Sequence, residues 1–181
     1  MEKSYEHRHR STNEKLRARP TNRKDEPMQA KKVLPLALLY TADGRIKGRT
    51  RFQKLAFLAD QELDTKGIDP YEFIPYDYGP FDSSLYDELE WLENQGLVSV
   101  AKSQTYGGDT RYDYRLTKKG WKSFERNLPE AEPADRSEQH LQTIYEVAKE
   151  IVDEYNDVPL SNLIDYIYTE YPRYAQNSVL Y

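Results

Sequence analysis

Basic side chains cluster between positions 43 and 54 of this 181-residue chain, and their spacing indicates phosphate binding. Twelve residues hold five bases against one acid, namely Arg45, Lys47, Arg49, Arg51 and Lys54. Guanidinium and ammonium groups bind phosphate, and the N-terminus of a helix attracts the same anion. Thr50 is a suitable helix cap with an apolar stripe behind it. The pattern therefore predicts a phosphate-binding surface at the start of a helix.

A second basic region follows a glycine turn and has the alternation of a β-hairpin. Residues 102–126 hold seven bases against three acids. In the alternating run 111–116, Arg111 and Arg115 share one face of a strand with Asp113, and Lys102 lies on the partner strand. Arginines on such a hairpin suit phosphates or a minor groove. Lys118 and Lys119 extend this positive surface, although a solvated, lysine-rich helix start explains them equally well.

The segment between these regions carries the opposite charge. Residues 82–95 predict a helix whose outward positions include Asp87, Glu88, Glu90 and Glu93. Outward carboxylates repel DNA phosphates and can accept hydrogen bonds only from cytosine amino groups in the major groove. If only the start of the helix enters a groove, Ser83 and Ser84 are expected to contact DNA. Otherwise the helix is a protein-binding face.

Catalysis is not expected from this sequence. The chain has no cysteine, two of its three histidines lie at 7 and 9, and His140 stands alone near a helix start. The carboxylates of residues 82–95 are solvated, and residues 43–48 lack the order of a phosphate-binding loop. We expect no enzyme activity, no cofactor and no metal site.

The chain is rich in tyrosine, with sixteen of them among 181 residues. Such rings could stack on nucleic-acid bases. Most of them occupy inward or edge positions of the predicted strands and helices, which favours core packing over stacking.

The order of the predicted elements is that of a winged helix-turn-helix. An apolar helix begins at Lys32 and stops near Gly44, a second follows Thr50, and aromatic residues 71–81 predict a short edge strand. The helix 82–95 then leads into strand 97–100, a turn at 106–109, strand 111–116 and a further helix. The expected fold is mainly α with a small β-hairpin wing, an α+β class, followed by C-terminal amphipathic helices.

Composition divides the chain into four parts. Residues 1–31 predict a disordered basic tail, since positions 1–32 hold ten bases, five acids and few apolar residues. Residues 32–128 form the predicted winged domain, 129–137 a linker, and 138–181 a helical segment expected to form a homodimer. The sequence lacks a signal peptide and a long apolar run, so we expect a cytoplasmic protein with no membrane partner.

A resemblance to a known family is carried by three stretches, residues 52–58, 76–81 and 85–86, and in particular by the step Tyr78-Gly79-Pro80. Over residues 49–120 the chain resembles the prokaryotic winged-helix group that includes the Panacea (SocA-like antitoxin) domains. The step Arg115–Gly120 is similar to the wing exit of many prokaryotic winged-helix regulators. Regulators of the wider fold bind DNA, whereas the Panacea resemblance implies direct contact with a toxin.

Two hypotheses follow. The first is a sequence-specific or structural DNA-binding protein, a transcriptional regulator, that contacts double-stranded DNA with the wing, the start of the second helix and the basic tail. The alternative is a non-enzymatic, antitoxin-like interaction module that binds a basic protein partner through the acidic helix 82–95.

Overall fold

The computed structural model describes residues 29–129 and 132–180. The elements follow in the order α1 (Ala30–Thr41), β1 (Arg45–Lys47), α2 (Arg49–Asp64), β2 (Ile74–Tyr76), β3 (Gly79–Phe81), α3 (Ser84–Asn94), β4 (Val98–Gln104), β5 (Thr110–Leu116), α4 (Lys118–Asn127), α5 (Arg136–Tyr155), α6 (Leu160–Glu170) and a 3-10 turn, Pro172–Ala175. This mixture of helices and small antiparallel sheets confirms the predicted α+β class. No helix of the described residues is long and apolar enough to cross a membrane.

Strand β5 is the centre of a three-stranded antiparallel sheet with the order β1-β5-β4. The predicted hairpin is present as β4 and β5, which pair from Val98 opposite Leu116 to Gln104 opposite Thr110. Strand β1 was not predicted, because its three residues are too few to show a period. A second antiparallel hairpin, β2 and β3, replaces the single edge strand expected in 71–81.

Helix α1 is buried along most of its length even though it contains a proline. Because the helix begins at Ala30, Pro35 lies in its interior. A proline there has no N–H to donate to the carbonyl four residues earlier. The hydroxyl of Tyr71 donates to that carbonyl, Lys31 O, at 2.5 Å. A side chain from another segment therefore satisfies the acceptor that the proline leaves open.

Helices α5 and α6 pack against the first two helices, α1 and α2. The buried side chains of α5 are Ile144, Val147, Ala148 and Val152, and the helix packs against α1 and α2. Helix α6 packs against α2 with Leu163, Ile164, Ile167 and Tyr168 buried. Part of each apolar stripe in the segment expected to dimerise is thus buried within the same chain.

Two of the predicted boundaries fall on the margins of the described residues. The predicted tail, residues 1–31, lies outside them apart from its last three positions, and α1 already begins at Ala30. The predicted linker 129–137 is described only in part, and α5 begins at Arg136 within it.

Two charged groups of α2 lie inside the protein. Lys54 is 2% exposed, and its Nζ donates to the carbonyl of Pro80 at 3.0 Å. Asp60 is 3% exposed and accepts a hydrogen bond from the backbone N–H of Tyr71 at 3.1 Å. Burial lowers the pKa of Lys54 to about 7 and raises the pKa of Asp60 to about 7. The prediction that Lys54 contacts DNA is therefore wrong, because its ammonium holds the β2–β3 hairpin instead.

We predict that Lys54→Met removes a pH dependence of stability. The folded chain releases the Lys54 proton near pH 7, whereas the unfolded chain holds it to near the ordinary pKa of 10.5. The unfolded state thus binds more protons between these values, and the free energy of unfolding rises with pH by up to about 1.4 kcal/mol per unit. Urea unfolding at pH 8 and at pH 9 measures the rise.

The matched control is Lys47→Met, because Lys47 is exposed. This variant should keep the rise that Lys54→Met loses. If the free energy of unfolding rises equally with pH in the wild type and in Lys54→Met, the lowered pKa is wrongly assigned to Lys54.

Candidate nucleic-acid interface

Strand β1, the start of α2 and the far end of the β4–β5 hairpin meet around one open groove of about 750 Å³. The end of α5 and the first residue of α6 form its other wall, with Asn156, Asp157 and Leu160. The groove is lined by five basic residues, Arg45, Lys47, Arg49, Arg51 and Arg111, and by two acidic ones, Asp109 and Asp157. Residues 45–51 and 111 are therefore neighbours in space, as the phosphate-binding hypothesis requires.

A buried carboxylate orients two of these arginines. Asp113 is 5% exposed, and its Oδ2 accepts from Arg45 Nη2 at 2.8 Å and from Arg111 Nη2 at 3.2 Å. Burial alone would raise the pKa of Asp113, but hydrogen bonds and charge from the two arginines outweigh it and hold the pKa below its usual value. Asp113 thus stays ionised and neutralises one of the two charges while it fixes both guanidinium groups.

The guanidinium of Arg49 packs against two tyrosine rings. Its central carbon is 3.6 Å from the ring centroid of Tyr112 on β5 and 4.8 Å from that of Tyr86 on α3. Nε of Arg49 donates to the hydroxyl of Tyr114 at 3.3 Å. Stacking of this kind favours arginine over lysine, because the guanidinium is planar. The same arrangement connects α2, α3 and the hairpin.

Arg51 is largely committed to the end of α5. Its Nη1 donates to the carbonyls of Asn156 at 2.7 Å and Tyr155 at 3.3 Å. These acceptors belong to the C-terminus of a helix, where the unpaired carbonyls and the helix dipole favour a cation. Burial lowers the pKa of Arg51, and the nearby Asp157 partly opposes this. Arg51 therefore builds the α5 wall of the groove as well as adding charge to it.

Helix α2 begins beside the groove with a glycine at its capping position. The prediction of Thr50 as the cap is wrong, because the helix begins at Arg49 and Gly48 precedes it. Gly48 has a φ of +90°, a conformation that side-chain-bearing residues rarely adopt. Among the described residues, no side chain caps the first N–H groups of this helix. Lys47 is exposed next to this turn and lines the groove together with Gly48 and Arg49.

The other predicted basic residues lie along the sheet and behind it. Lys102 is exposed, with its Nζ 5.4 Å from the ring centroid of Tyr112, and Arg115 is exposed opposite Arg45 in the strand register. Lys118 and Lys119 are exposed at the start of α4, where Lys119 Nζ donates to the carbonyl of Gln95 at 2.6 Å. Neither Lys118 nor Lys119 lines the groove.

The start of α3 is fixed by a buried carboxylate. Asp82 is 9% exposed, and its carboxylate accepts from the backbone N–H groups of Ser84 and Glu72, both at 2.7 Å. Ser83 is exposed, whereas Ser84 is half-buried. Of the two predicted serine contacts, only Ser83 lies openly on the surface.

The outward face of α3 is acidic and also carries an aromatic ring. Asp87, Glu90 and Glu93 are exposed, while Glu88 is half-buried and lies 3.5 Å from the ammonium of Lys32. Trp91 is 39% exposed, with the same ammonium 4.9 Å from its ring centroid. The sequence predicted most of the outward carboxylates but indicated no role for Trp91.

Sequence reasoning missed three tyrosines of the site as functional residues. The sequence favours packing roles for Tyr86, Tyr112 and Tyr114, and Tyr114 is indeed 3% exposed. The available signal was the alternation 111–114, which places rings on one face of β5 and charges on the other. Its relevance to Arg49 depends on a contact between residues more than sixty positions apart.

Metal binding and a second cavity are the two remaining features of the surface. Within residues 29–129 and 132–180, no group of three or more histidine, aspartate and glutamate residues could hold a metal ion. A second cavity of about 410 Å³ lies where α1, α4 and α5 meet, with Val33, Phe124 and Ile144 among its apolar lining residues and Arg126 and His140 among its polar ones.

Comparison with known proteins adds no family to this description. No protein-family model and no curated protein matches the sequence.

Proposed function

We propose that the protein is a winged helix-turn-helix DNA-binding protein that acts as a transcriptional regulator. The β2–β3 hairpin lies between α2 and α3, and the remaining order α1, β1, α2, α3, β4, β5 supports the winged-helix interpretation, because β1 pairs with β5 and the β4–β5 hairpin follows directly from α3. In this interpretation α3 is the helix next to the major groove, and the β4–β5 hairpin is the wing.

The observation that carries the proposal is the convergence of five basic side chains on one groove beside the start of α2. Lys47, Arg49 and Arg111 are the groove cations with exposed side chains. Lys102 and Arg115 extend the positive charge along the sheet. Such a surface attracts a phosphate backbone through charge and needs no particular base sequence for that part of its affinity.

The acidic face of α3 limits how the duplex can approach. Asp87, Glu90 and Glu93 point outward along the helix, so deep insertion of α3 would bring carboxylates against phosphates. We infer that the start of α3, at Ser83, approaches the duplex while the groove and the hairpin supply most of the contacts.

The homodimer and the cytoplasmic location remain part of the proposal. A two-fold partner would set the spacing of two half-sites on DNA. Part of the α5 stripe is buried within the chain, and Leu160 of α6 lines the groove, so a dimer contact would use other exposed surface, such as Tyr166 of α6.

A second function has its own observation. Trp91 is exposed among carboxylates on α3, and tryptophan is enriched at the energetic centres of protein interfaces. This face fits a partner with a basic surface and one pocket for an indole ring. It supports the antitoxin-like alternative, in which the acidic helix contacts a basic protein.

We predict a steep salt dependence of duplex binding. Four to five phosphate contacts give a slope of about −3.6 to −4.5 in a plot of log affinity against log salt concentration. Fluorescence anisotropy with a random-sequence duplex of about 30 base pairs measures this slope at several salt concentrations. The double variant Lys47→Gln/Arg111→Gln should reduce its magnitude by about 2, because two contacts are lost.

The matched control is Lys149→Gln, which removes an exposed cation of α5 outside the groove. This variant should keep the wild-type slope. Absence of duplex binding at low salt, or an affinity that ignores salt, would overturn the proposal.

We predict that Glu90→Gln/Glu93→Gln separates the two functions. Both side chains are exposed, so the change removes charge without disturbing the buried leucines of α3. A DNA-binding protein should bind duplex equally well or more tightly, because repulsion of phosphates falls. The same anisotropy titration measures this.

If α3 instead docks a basic protein, the substitution should leave DNA binding absent and weaken that complex. Trp91→Ala is the companion variant, because it removes the ring and keeps both carboxylates. A DNA affinity that falls on loss of the two charges would show that the carboxylates themselves contact the duplex, and would contradict the repulsion argument.

A further inference from the structure

We infer that Arg49 is a preorganised bidentate clamp for one phosphate group. Its position determines where the DNA backbone binds in the groove. The inference rests on the proposed function and deepens it, because it separates one residue from the general positive charge of the surface.

The guanidinium of Arg49 contacts three tyrosines before any ligand binds. Tyr112 and Tyr86 lie 3.6 and 4.8 Å from it, and Nε is engaged by Tyr114. An arginine side chain normally loses much rotational freedom when it binds a ligand. Here three tyrosines from two elements have already restricted that freedom in the free protein, so little further ordering is needed on binding.

The hydrogen-bonding capacity of the guanidinium is only partly used. Within the described residues, neither Nη1 nor Nη2 of Arg49 donates to a protein acceptor, and the residue is exposed. The edge with two parallel N–H groups is therefore available, and this edge matches two oxygens of a phosphate. Arg45 and Arg51 differ, since a carboxylate and two carbonyls already occupy terminal nitrogens of those residues.

The surroundings of Arg49 favour a phosphate over a base edge. Arg49 is the first residue of α2, directly after Gly48, and it lines the groove together with Lys47 and Arg111. These neighbouring cations add positive charge that attracts a phosphate backbone. The ring stack also keeps the guanidinium beside the sheet, where a backbone running past the hairpin would lie.

The test compares variants that keep the charge. Arg49→Lys retains a cation but loses the bidentate edge of the guanidinium and its planar contact with the tyrosine rings. Duplex binding should therefore weaken about tenfold, while the slope of log affinity against log salt concentration stays nearly constant. Tyr112→Leu keeps Arg49 but removes one ring, and should weaken binding about threefold through lost preorganisation. Arg126→Lys, at an exposed site on α4 outside the groove, should stay within about twofold of the wild type.

Thermal unfolding first establishes that each variant is folded. Arg49→Lys within about twofold of the wild type would overturn the inference, because a point charge would then suffice. Interference footprinting locates the contact. Ethylation of one particular backbone phosphate should weaken binding of the wild type but not binding of Arg49→Lys. If methylation of a guanine N7 is instead the modification whose effect disappears in Arg49→Lys, Arg49 reads a base and the inference is overturned.

A separate measurement needs no duplex. In nitrogen NMR of the full chain, the Arg49 Nε–H signal is identified by its loss in Arg49→Lys. Addition of inorganic pyrophosphate should shift this signal more than any other arginine signal. If the Arg49 signal does not shift, the inference that Arg49 is a phosphate clamp is overturned. If the Arg49 signal of the wild type shifts with pyrophosphate but the protein binds no duplex, the clamp is retained and the proposed function is overturned.

Discussion

The groove depends on three residue pairs between β1 and β5. Arg45, Ile46 and Lys47 lie opposite Arg115, Tyr114 and Asp113, and in the described part of the chain no other strand joins the start of α2 to the hairpin. Ile46 is fully buried, and Tyr114 beside it contacts Phe52 edge-on at 5.2 Å. Because side chains alternate along a strand, burial of Ile46 forces Arg45 and Lys47 to the other face. A slip of one residue would bury two charges and expose the isoleucine.

This pairing also explains why the charges of the surface behave differently from one another. Asp113 reaches Arg45 only because β1 lies alongside β5, and Tyr112 reaches Arg49 for the same reason. The charge of Arg45 is thereby neutralised, Arg49 packs on an aromatic ring, and Arg51 donates to the end of α5. Equal formal charges in the sequence thus become unequal donors in the folded protein.

Much of the fold could be predicted because its signals are local. The amphipathic periods of the helices and the glycine turn of the β4–β5 hairpin depend on neighbours a few residues apart. Strand β1 could not be predicted, since three residues show no period and their partner lies nearly seventy positions away. The cap at Gly48 was missed for a related reason, because its φ of +90° accompanies a hydrogen bond from its N–H to the carbonyl of Tyr112.

The candidate site was predictable as a set of charges but not as an arrangement. Counting bases placed Lys54 with its neighbours, yet α2 is covered by α1, α5, α6 and the β2–β3 hairpin, so that position lies inside. An amphipathic pattern assumes one buried face, and a helix covered on several sides does not obey it. The aromatic partners of Arg49 were missed because they belong to α3 and β5, far from Arg49 in the sequence.

The contact between Arg51 and the end of α5 has a consequence for the groove. Nη1 of Arg51 donates to the carbonyls of Tyr155 and Asn156, while within the described residues its Nε and Nη2 donate to no side chain or carbonyl. An anion can therefore approach the remaining edge of the guanidinium without breaking the contact with α5. The same side chain thus joins the start of α2 to the end of α5 and still contributes charge to the groove.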